Sequence, residues 1–324
     1  WADLMVIAPA TANILGKMAH GIADDALTTT FAAMRKPVVI APAMNDKMYE
    51  SPATQEAIRI LSTWSNITML ECADGALACG TSGRGRMQEI DVIKAAIEYA
   101  ITPKTLTDKH ILITAGPTHE AIDPVRYISN ASTGKMGYAL VKSCLKRGAK
   151  VTLVTGPTHI SVEGWKAFSP LTVRSVISSS EMCEATVAEA DSADICILCA
   201  AVADFTPSTT ANQKIKKEAG QTSLTLELQT TTDIAAALGK KKRKNQTLVG
   251  FALETHNELA NAERKMQAKN LDMIVLNSLQ DQGAGFGVDT NKVTLLYPDG
   301  TQKKLPLKSK EEVADAIIDA INPF

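Results

Sequence analysis

Unbroken apolar runs alternate with helical repeats along this chain from end to end. LMVIAP, residues 4–9, is continuously apolar, the pattern of a strand buried on both faces. Residues 11–20 follow with helical spacing. KPVVIAPAM, residues 36–44, repeats the strand pattern. Residues 52–62 repeat the helix, opened by Ser51-Pro52, a capping residue before a proline suited to the first turn. Residues 71–88 are glycine-rich and aperiodic, so a long loop is expected there. A helix over 89–100 closes this segment, and the polar stretch TPKTLTDK, 102–109, reads as a linker.

The same alternation then begins again. A strand over 110–115 leads through a polar loop to a helix over 135–147, with Met136, Leu140, Val141, Cys144 and Leu145 on one face. Gly148 ends that helix and a strand follows at 150–155. The turns after the two strands are near copies, AGPTH at 115–119 and TGPTH at 155–159. Further strands are expected at 193–200, 247–252 and 272–276, and helices near 181–190, 257–270 and 309–321. A hairpin of 292–297 and 302–307 turns on Pro298-Asp299-Gly300. The pattern predicts an α/β protein of two domains, 1–101 and 110–324, the second a Rossmann-like three-layer sandwich.

Composition narrows the function. The 324 residues are 45% hydrophobic and 21% charged, with a formal net charge of −1, so no long-range field draws nucleic acid or an acidic membrane. No apolar stretch approaches the roughly 18–20 residues that span a bilayer, and no secretory signal is visible. The cysteines are scattered as in proteins of a reducing, cytoplasmic setting. Cys196 and Cys199 spell C-x-x-C inside the apolar run ADICILCAAVAD, which reads as buried strand thiols rather than a redox or zinc site. TGKM at 133–136 is not a phosphate-binding P-loop, because Ser129 stands where glycine is required and Met136 cannot ligate magnesium. KKKRK at 240–244 reads as a solvated helix end.

Residues 112–137, LITAGPTHEAIDPVRYISNASTGKMG, carry the strongest functional signal. A strand stops, a small-residue loop exposes backbone N–H groups, and a helix N-terminus follows, the arrangement that receives anions in doubly wound sheets. The loop also holds Arg126, Asn130 and Lys135, each able to engage a phosphate or carboxylate. In the first segment, APATAN (8–13) and APAMN (41–45) place Asn13 and Asn45 at successive strand ends, which favours one shared site. Cys79, in ACGTSGRGRM near Arg84 and Arg86, reads either as a thiol of lowered pKa or as a cysteine that merely sits in a connector. Lys265 and Lys269 lie one helical turn apart, which alone reads as a solvated face.

These residues resemble a family. APATAN, GIADDALTT, PAMN and ACGTSGRGRM are similar to the decarboxylase half of the bifunctional phosphopantothenoylcysteine decarboxylase/phosphopantothenate–cysteine ligases of coenzyme A synthesis. The long 115–137 motif, AAVADF, KIKK and the Lys265/Lys269 spacing resemble the ligase half. The resemblance covers nearly the whole chain. It implies a partial flavodoxin-like (FMN-type) three-layer sandwich over 1–101. In that half Asn13 contacts FMN, Asn45 contacts substrate, and Cys79 returns a proton after carbon dioxide is lost. The chain begins at Trp1 and goes almost at once into a strand, so it reads as a fragment without the family's first strands, flavin loop and essential histidine. Poor FMN retention is therefore expected.

For the ligase half, the resemblance implies activation of 4′-phosphopantothenate by CTP with Mg²⁺, then displacement of CMP by the amine of L-cysteine. Asn130 matches the residue that forms or holds the acyl-cytidylate, and Lys214 in KIKK a nucleotide-contacting lysine that also serves the second half-reaction. Ala200, Thr232, Asp233, Ile234, Phe251, Lys265 and Lys269 match nucleotide contacts. Asp204 takes either the divalent ion or the nucleotide. Where the family commonly has Asn-Pro-Asp, this chain has Thr231-Thr232-Asp233. A homodimer through the ligase domain is implied as well. The rivals are an NAD(P)-dependent oxidoreductase, which lacks G-x-G-x-x-G and a ribose-binding acid here, and a non-catalytic flavoprotein subunit.

Overall fold

A computed structural model describes the chain apart from residues 77–79, 81, 218, 220, 255–256, 279–284, 286 and 322–324. It divides into two units, Trp1–Thr105 with Glu163–Phe168, and Leu106–Val162 with Ser169–Phe324. The short 163–168 segment, inside the expected second domain, thus belongs with the first unit.

In the first unit, Met5–Ala10, Val38–Pro42 and Ile67–Met69 pair in parallel in that order. Val38–Pro42 is buried throughout, as its apolar run demands. Alternate residues serve opposite layers. Ile7, Val38 and Ile40 pack with Leu15, Phe31, Ala57 and Leu61 from helices Ala12–Ala19, Ala26–Ala33 and Pro52–Ser62. Val39 and Ala41 pack with Ile93 and Ala96 of helix Ile90–Ile101. The helix Ala26–Ala33 has no apolar stripe to announce it. It starts on a reciprocal cap instead: Thr28 N donates to Asp25 Oδ1 at 2.8 Å, and Asp25 N to Thr28 Oγ1 at 3.3 Å. The stretch 71–88 is not the long loop expected. Ala73–Ala76 and Ser82–Arg86 pair antiparallel, in a ribbon so exposed that no period-2 apolar signal was needed to build it.

The second unit is built on an eight-stranded sheet. Leu171–Ser175, Lys150–Thr155, His110–Ala115, Ile195–Leu198, Thr247–Glu254 and Met273–Ser278 run parallel in that spatial order, followed by antiparallel Val293–Leu296 and Gln302–Lys304. Numbered by sequence, the parallel strands read 3-2-1-4-5-6, the order of dinucleotide-binding folds. Leu171–Ser175 escaped the sequence pattern because an edge strand has little to bury. Leu112, Val154, Cys196, Leu248 and Ile274 pack with Met182, Leu238, Ala262 and Met266 from helices Ser179–Ala190, Ile234–Lys241 and Glu258–Ala268. Helix Lys135–Lys146 packs on strands 110–115 and 150–155, beside Lys310–Ile321. A polar tie joins these two helices. Arg147 donates to Asp315 at 2.7 Å and Asp319 at 2.9 Å, Lys146 to Asp315 at 2.8 Å, and Ser143 Oγ to Asp315 at 2.7 Å.

Burial raises the Cys196 and Cys199 thiols to about 12, the opposite of what a redox pair needs. Part of the KKKRK run is structural rather than solvated. Lys242 Nζ donates to Asn270 O at 2.7 Å and Asp272 Oδ1 at 2.9 Å, and Arg243 donates to Ala193 O at 2.6 Å. Among the described residues, no helix is long and apolar enough to cross a membrane.

Two glycines let main chain touch main chain. A Cβ on Gly137 would lie 2.5 Å from Ala115 Cβ, so the helix start rests directly on the strand end. A Cβ on Gly156 would lie 1.6 Å from Pro117 O, so the two Gly-Pro turns are in backbone contact. We expect Gly156→Ala to destabilise the second unit by about 3 kcal/mol through overpacking against backbone. Urea unfolding measures this, and an unchanged midpoint would refute it.

Candidate functional site

Between strands 110–115 and 195–198 the winding of the sheet reverses. Such a reversal opens a crevice beyond the strands' carboxyl ends, because the loops that follow depart in opposite directions. Asn130 spans it. Its Nδ2 donates to Ala201 O and Val202 O, both at 3.1 Å. Two carbonyls require a donor that a carboxylate lacks, and the amide keeps Oδ1 as an acceptor. Two buried hydroxyls hold the facing loop. Thr114 Oγ1 accepts from Ala200 N at 3.2 Å and Thr118 Oγ1 from Ala203 N at 3.0 Å. Ala201 N donates to Gly116 O at 2.9 Å. The sequence reading missed both threonines, whose partners lie far along the chain.

The bonded path continues. Thr231 Oγ1 donates to Ala203 O at 2.6 Å and Thr231 N to Asp204 O at 3.0 Å, which sets Thr232, Asp233 and Ile234 beside Asp204. Asp233 caps helix Ile234–Lys241 through Ala236 N at 3.0 Å and pairs with Lys269 Nζ at 2.8 Å. Burial pushes the Asp233 carboxyl up, but the Lys269 and Ala236 bonds outweigh it and hold it below its ordinary value. Lys265 lies within helix Glu258–Ala268, and Lys269 is its cap residue, donating N–H to Lys265 O at 3.0 Å. The Asp204 side chain is exposed. No group of three metal-ligating side chains exists among the described residues.

A cleft of about 130 Å³ sits at the helix 135–146 N-terminus, walled by residues 132–137, 199–201 and 251–253 with Asn277, Gly285, Asn291 and Lys310. It brings Ala200 and Phe251 together. The helix's first-turn N–H groups have no intrahelical acceptor and carry its positive dipole end. Lys135 Nζ pairs with Asp289 Oδ1 at 2.6 Å. Lys310, unread in the sequence, is 7% exposed and donates to Gly285 O at 3.1 Å and Val288 O at 2.5 Å.

Arg126, expected from its place in the loop to be able to engage a phosphate or carboxylate, is paired within the chain and partly exposed. Its guanidinium donates to Asp123 Oδ2 at 2.5 and 3.0 Å and to Ile215 O at 2.9 Å. Asp123, buried, also accepts from the backbone N–H groups of Val125, Arg126 and Ile215. This clamp fastens the KIKK segment to the 121–126 turn. Lys214, next to Ile215, is exposed and does not line the cleft.

In the first unit, Asn13 is exposed in the first turn of helix Ala12–Ala19, and Asn45 caps Asp46–Glu50 by accepting from Lys47 N at 2.9 Å. Ala43 N donates to Ala10 O at 2.9 Å, joining the two strand-end turns that carry them. Met44 N donates to Gly85 O at 2.9 Å, seating the antiparallel ribbon against the second turn. Cys79 lies outside the described residues. Arg84 and Arg86 pair with Glu71 and Glu89.

The family model of the DNA/pantothenate metabolism flavoprotein C-terminal domain matches residues 106–324, and the Flavoprotein model matches 1–102. The chain is 48% identical to the coenzyme A biosynthesis bifunctional protein CoaBC of Bacillus subtilis (strain 168), over 99% of this chain and 78% of that protein. It is 49% identical to a cysteine/cysteine sulfinic acid decarboxylase of an unknown prokaryotic organism, over 99% of this chain and 89% of the relative. A crystal structure of the C-terminal domain of a CoaBC protein superposes with a TM-score of 0.56 at 39% identity, covering 68% of this chain and 96% of that one.

Arg126 holds the Asp123 carboxyl well below the usual carboxylate range, with burial opposing. A lowered folded value means the clamp's contribution is fully present above the unfolded carboxylate pKa of about 3.9 and is lost as pH falls through the folded one. Protease cleavage within 211–217 should therefore stay constant from neutral pH to about pH 4. Asp123→Asn should raise it at neutral pH. Equal cleavage of both proteins would refute the clamp.

Proposed function

The chain belongs to the bifunctional coenzyme A biosynthesis family, and from that premise we propose that its second unit joins 4′-phosphopantothenate to L-cysteine using CTP, through an acyl-cytidylate. The first unit is the flavoprotein part, which belongs to the decarboxylation of the phosphopantothenoylcysteine so formed. The observation that carries the ligase reading is Asn130 bonded across the switch point to the 201–202 carbonyls, above a cleft that ends on a helix N-terminus.

The chemistry asks for this arrangement. A carboxylate must attack the α-phosphorus of a polyanion, so fixed dipoles and cations carry most of the catalysis. First-turn N–H groups of helix 135–146 and the Lys135 ammonium face phosphate oxygens, and Phe251 packs against the base. Asp204, exposed and without protein co-ligands among the described residues, suits Mg²⁺ held mainly by phosphates and water. Lys269 exchanges Asp233 for phosphate at little cost, since both ends of that pair are partly solvated. Asn130 spends its donors on the protein and offers Oδ1 to the activated acid. Lys214 serves the attack by cysteine, and the Ile215 clamp ties its position to the loop that bears Asn130.

In the first unit, Asn13 and Asn45 stand on adjacent, hydrogen-bonded turns and supply the amide donors and acceptors that a flavin edge and a substrate carboxylate require. A bound FMN would supply the hydride acceptor. One relative is named for decarboxylating cysteine itself, the same type of bond in a smaller substrate.

Asn130→Asp and Lys214→Gln should each lower CTP-dependent ligation by about a hundredfold or more while the melting temperature holds. Pyrophosphate release and product formation are the measurements, and near-normal rates in both variants would overturn the assignment. For the first unit, titrating the protein into FMN should quench the flavin fluorescence, and Asn13→Ala should remove that quenching. Identical titrations of the two proteins would withdraw Asn13 from the site.

A further inference from the structure

Lys310 is tied to the main chain at Gly285 and Val288, but those bonds do not neutralise its charge. It is the single lysine that the fold buries among the described residues, at 7% exposure. Arg147, the other buried cation, is neutralised by Asp315 and Asp319. Among the described residues, Lys310 hydrogen-bonds main-chain oxygens alone, those of Gly285 and Val288. It also opens helix Lys310–Ile321, a position where the helix dipole opposes a cation. A buried charge without a counter-charge is expensive, and an apolar side chain of the same length would remove that expense.

The surroundings indicate what completes it. An ammonium has three N–H donors, and two are used here. The amine lines the cleft at the helix 135–146 N-terminus, so the cleft is flanked by two helix starts, each headed by a lysine. The charged and titratable groups around Lys310 are Lys135, Asp289 and the Cys199 thiol. Asp289 is committed to Lys135 at 2.6 Å, and burial keeps Cys199 a neutral thiol.

We propose that Lys310 is a further nucleotide-binding residue, whose remaining N–H and unneutralised charge take an anionic oxygen of the phosphate chain. This rests on the nucleotide reading of the cleft given above. Burial, followed by the charge of Lys135, lowers the amine's pKa in the free protein, and an arriving anion raises it again. Binding on the alkaline side is then accompanied by proton uptake, and affinity falls as pH rises.

The test is calorimetric titration of the full chain with CTP, ATP and inorganic triphosphate, each with Mg²⁺, for the wild type, Lys310→Met and Lys310→Arg. Lys310→Met should weaken CTP and triphosphate binding by about ten- to a hundredfold. Lys310→Arg should recover part of the affinity. The wild type should take up protons on binding at alkaline pH. Lys310→Met binding CTP as tightly as the wild type would sink the proposal and leave the nucleotide site standing. A wild type that binds none of the three ligands would sink both. Should Lys310→Met fail to fold, Lys310→Gln takes its place, since it keeps a donor for the main-chain oxygens without the charge, and undiminished CTP affinity in Lys310→Gln would overturn the proposal.

Discussion

Backbone contact at the ends of two neighbouring strands is the constraint on which the second unit rests. Gly156 lies against Pro117 O with no room for a methyl group, and Gly137 rests on Ala115 with no more. Close approach brings a helix N-terminus to the crest of the sheet and leaves the 116–134 loop nowhere to go but across the switch point. There its Asn130 meets the carbonyls of the next crossover. Larger residues at either glycine would separate the layers by the thickness of a side chain, and the Asn130 bonds would lose their reach.

The crevice is shaped by neutral groups and charged at its rim. Thr114, Thr118, Asn130 and Thr231 fix the 199–204 loop through bonds between neutral groups and main chain, which salt screens little, and burial strengthens that of Thr118. The cations at the rim are engaged provisionally, Lys135 with Asp289 and Lys269 with Asp233, in pairs partly open to water. Pairs of that kind contribute little stability and yield readily to a stronger anion. A preformed shape with exchangeable charges fits the nucleotide site proposed above.

Hydrophobic pattern alone located strands 110–115 and 150–155 to the residue, because runs buried on both faces leave an unmistakable apolar trace. It missed Leu171–Ser175, helix Ala26–Ala33 and the ribbon of 73–76 with 82–86, where exposure or small side chains erase that trace. The spatial order of the strands was not legible, since nothing local records which strand a crossover joins. At the site, family resemblance supplied Asn130, Ala200 and Phe251, and the structure sets the last two on the walls of one cleft. The pairing of Arg126 with Asp123, only three residues away, was not read from the loop, because an Asp in a turn does not show which cation it meets. Asp123 and Lys310 stayed hidden because their meaning comes from Ile215 and from the 285–289 segment, which sequence proximity cannot reveal.

The polar tie between helices 135–146 and 310–321 has a consequence for the cleft that their N-termini flank. Ser143, Lys146 and Arg147 grip Asp315 and Asp319 more than a turn away from the two leading lysines. Lys142 adds a pair to Glu311 at 3.5 Å, close to the start of the second helix. The two helices are thus fastened along their length, and a change at Asp315 would reach the cleft walls through a shift of the whole pair rather than of one helix.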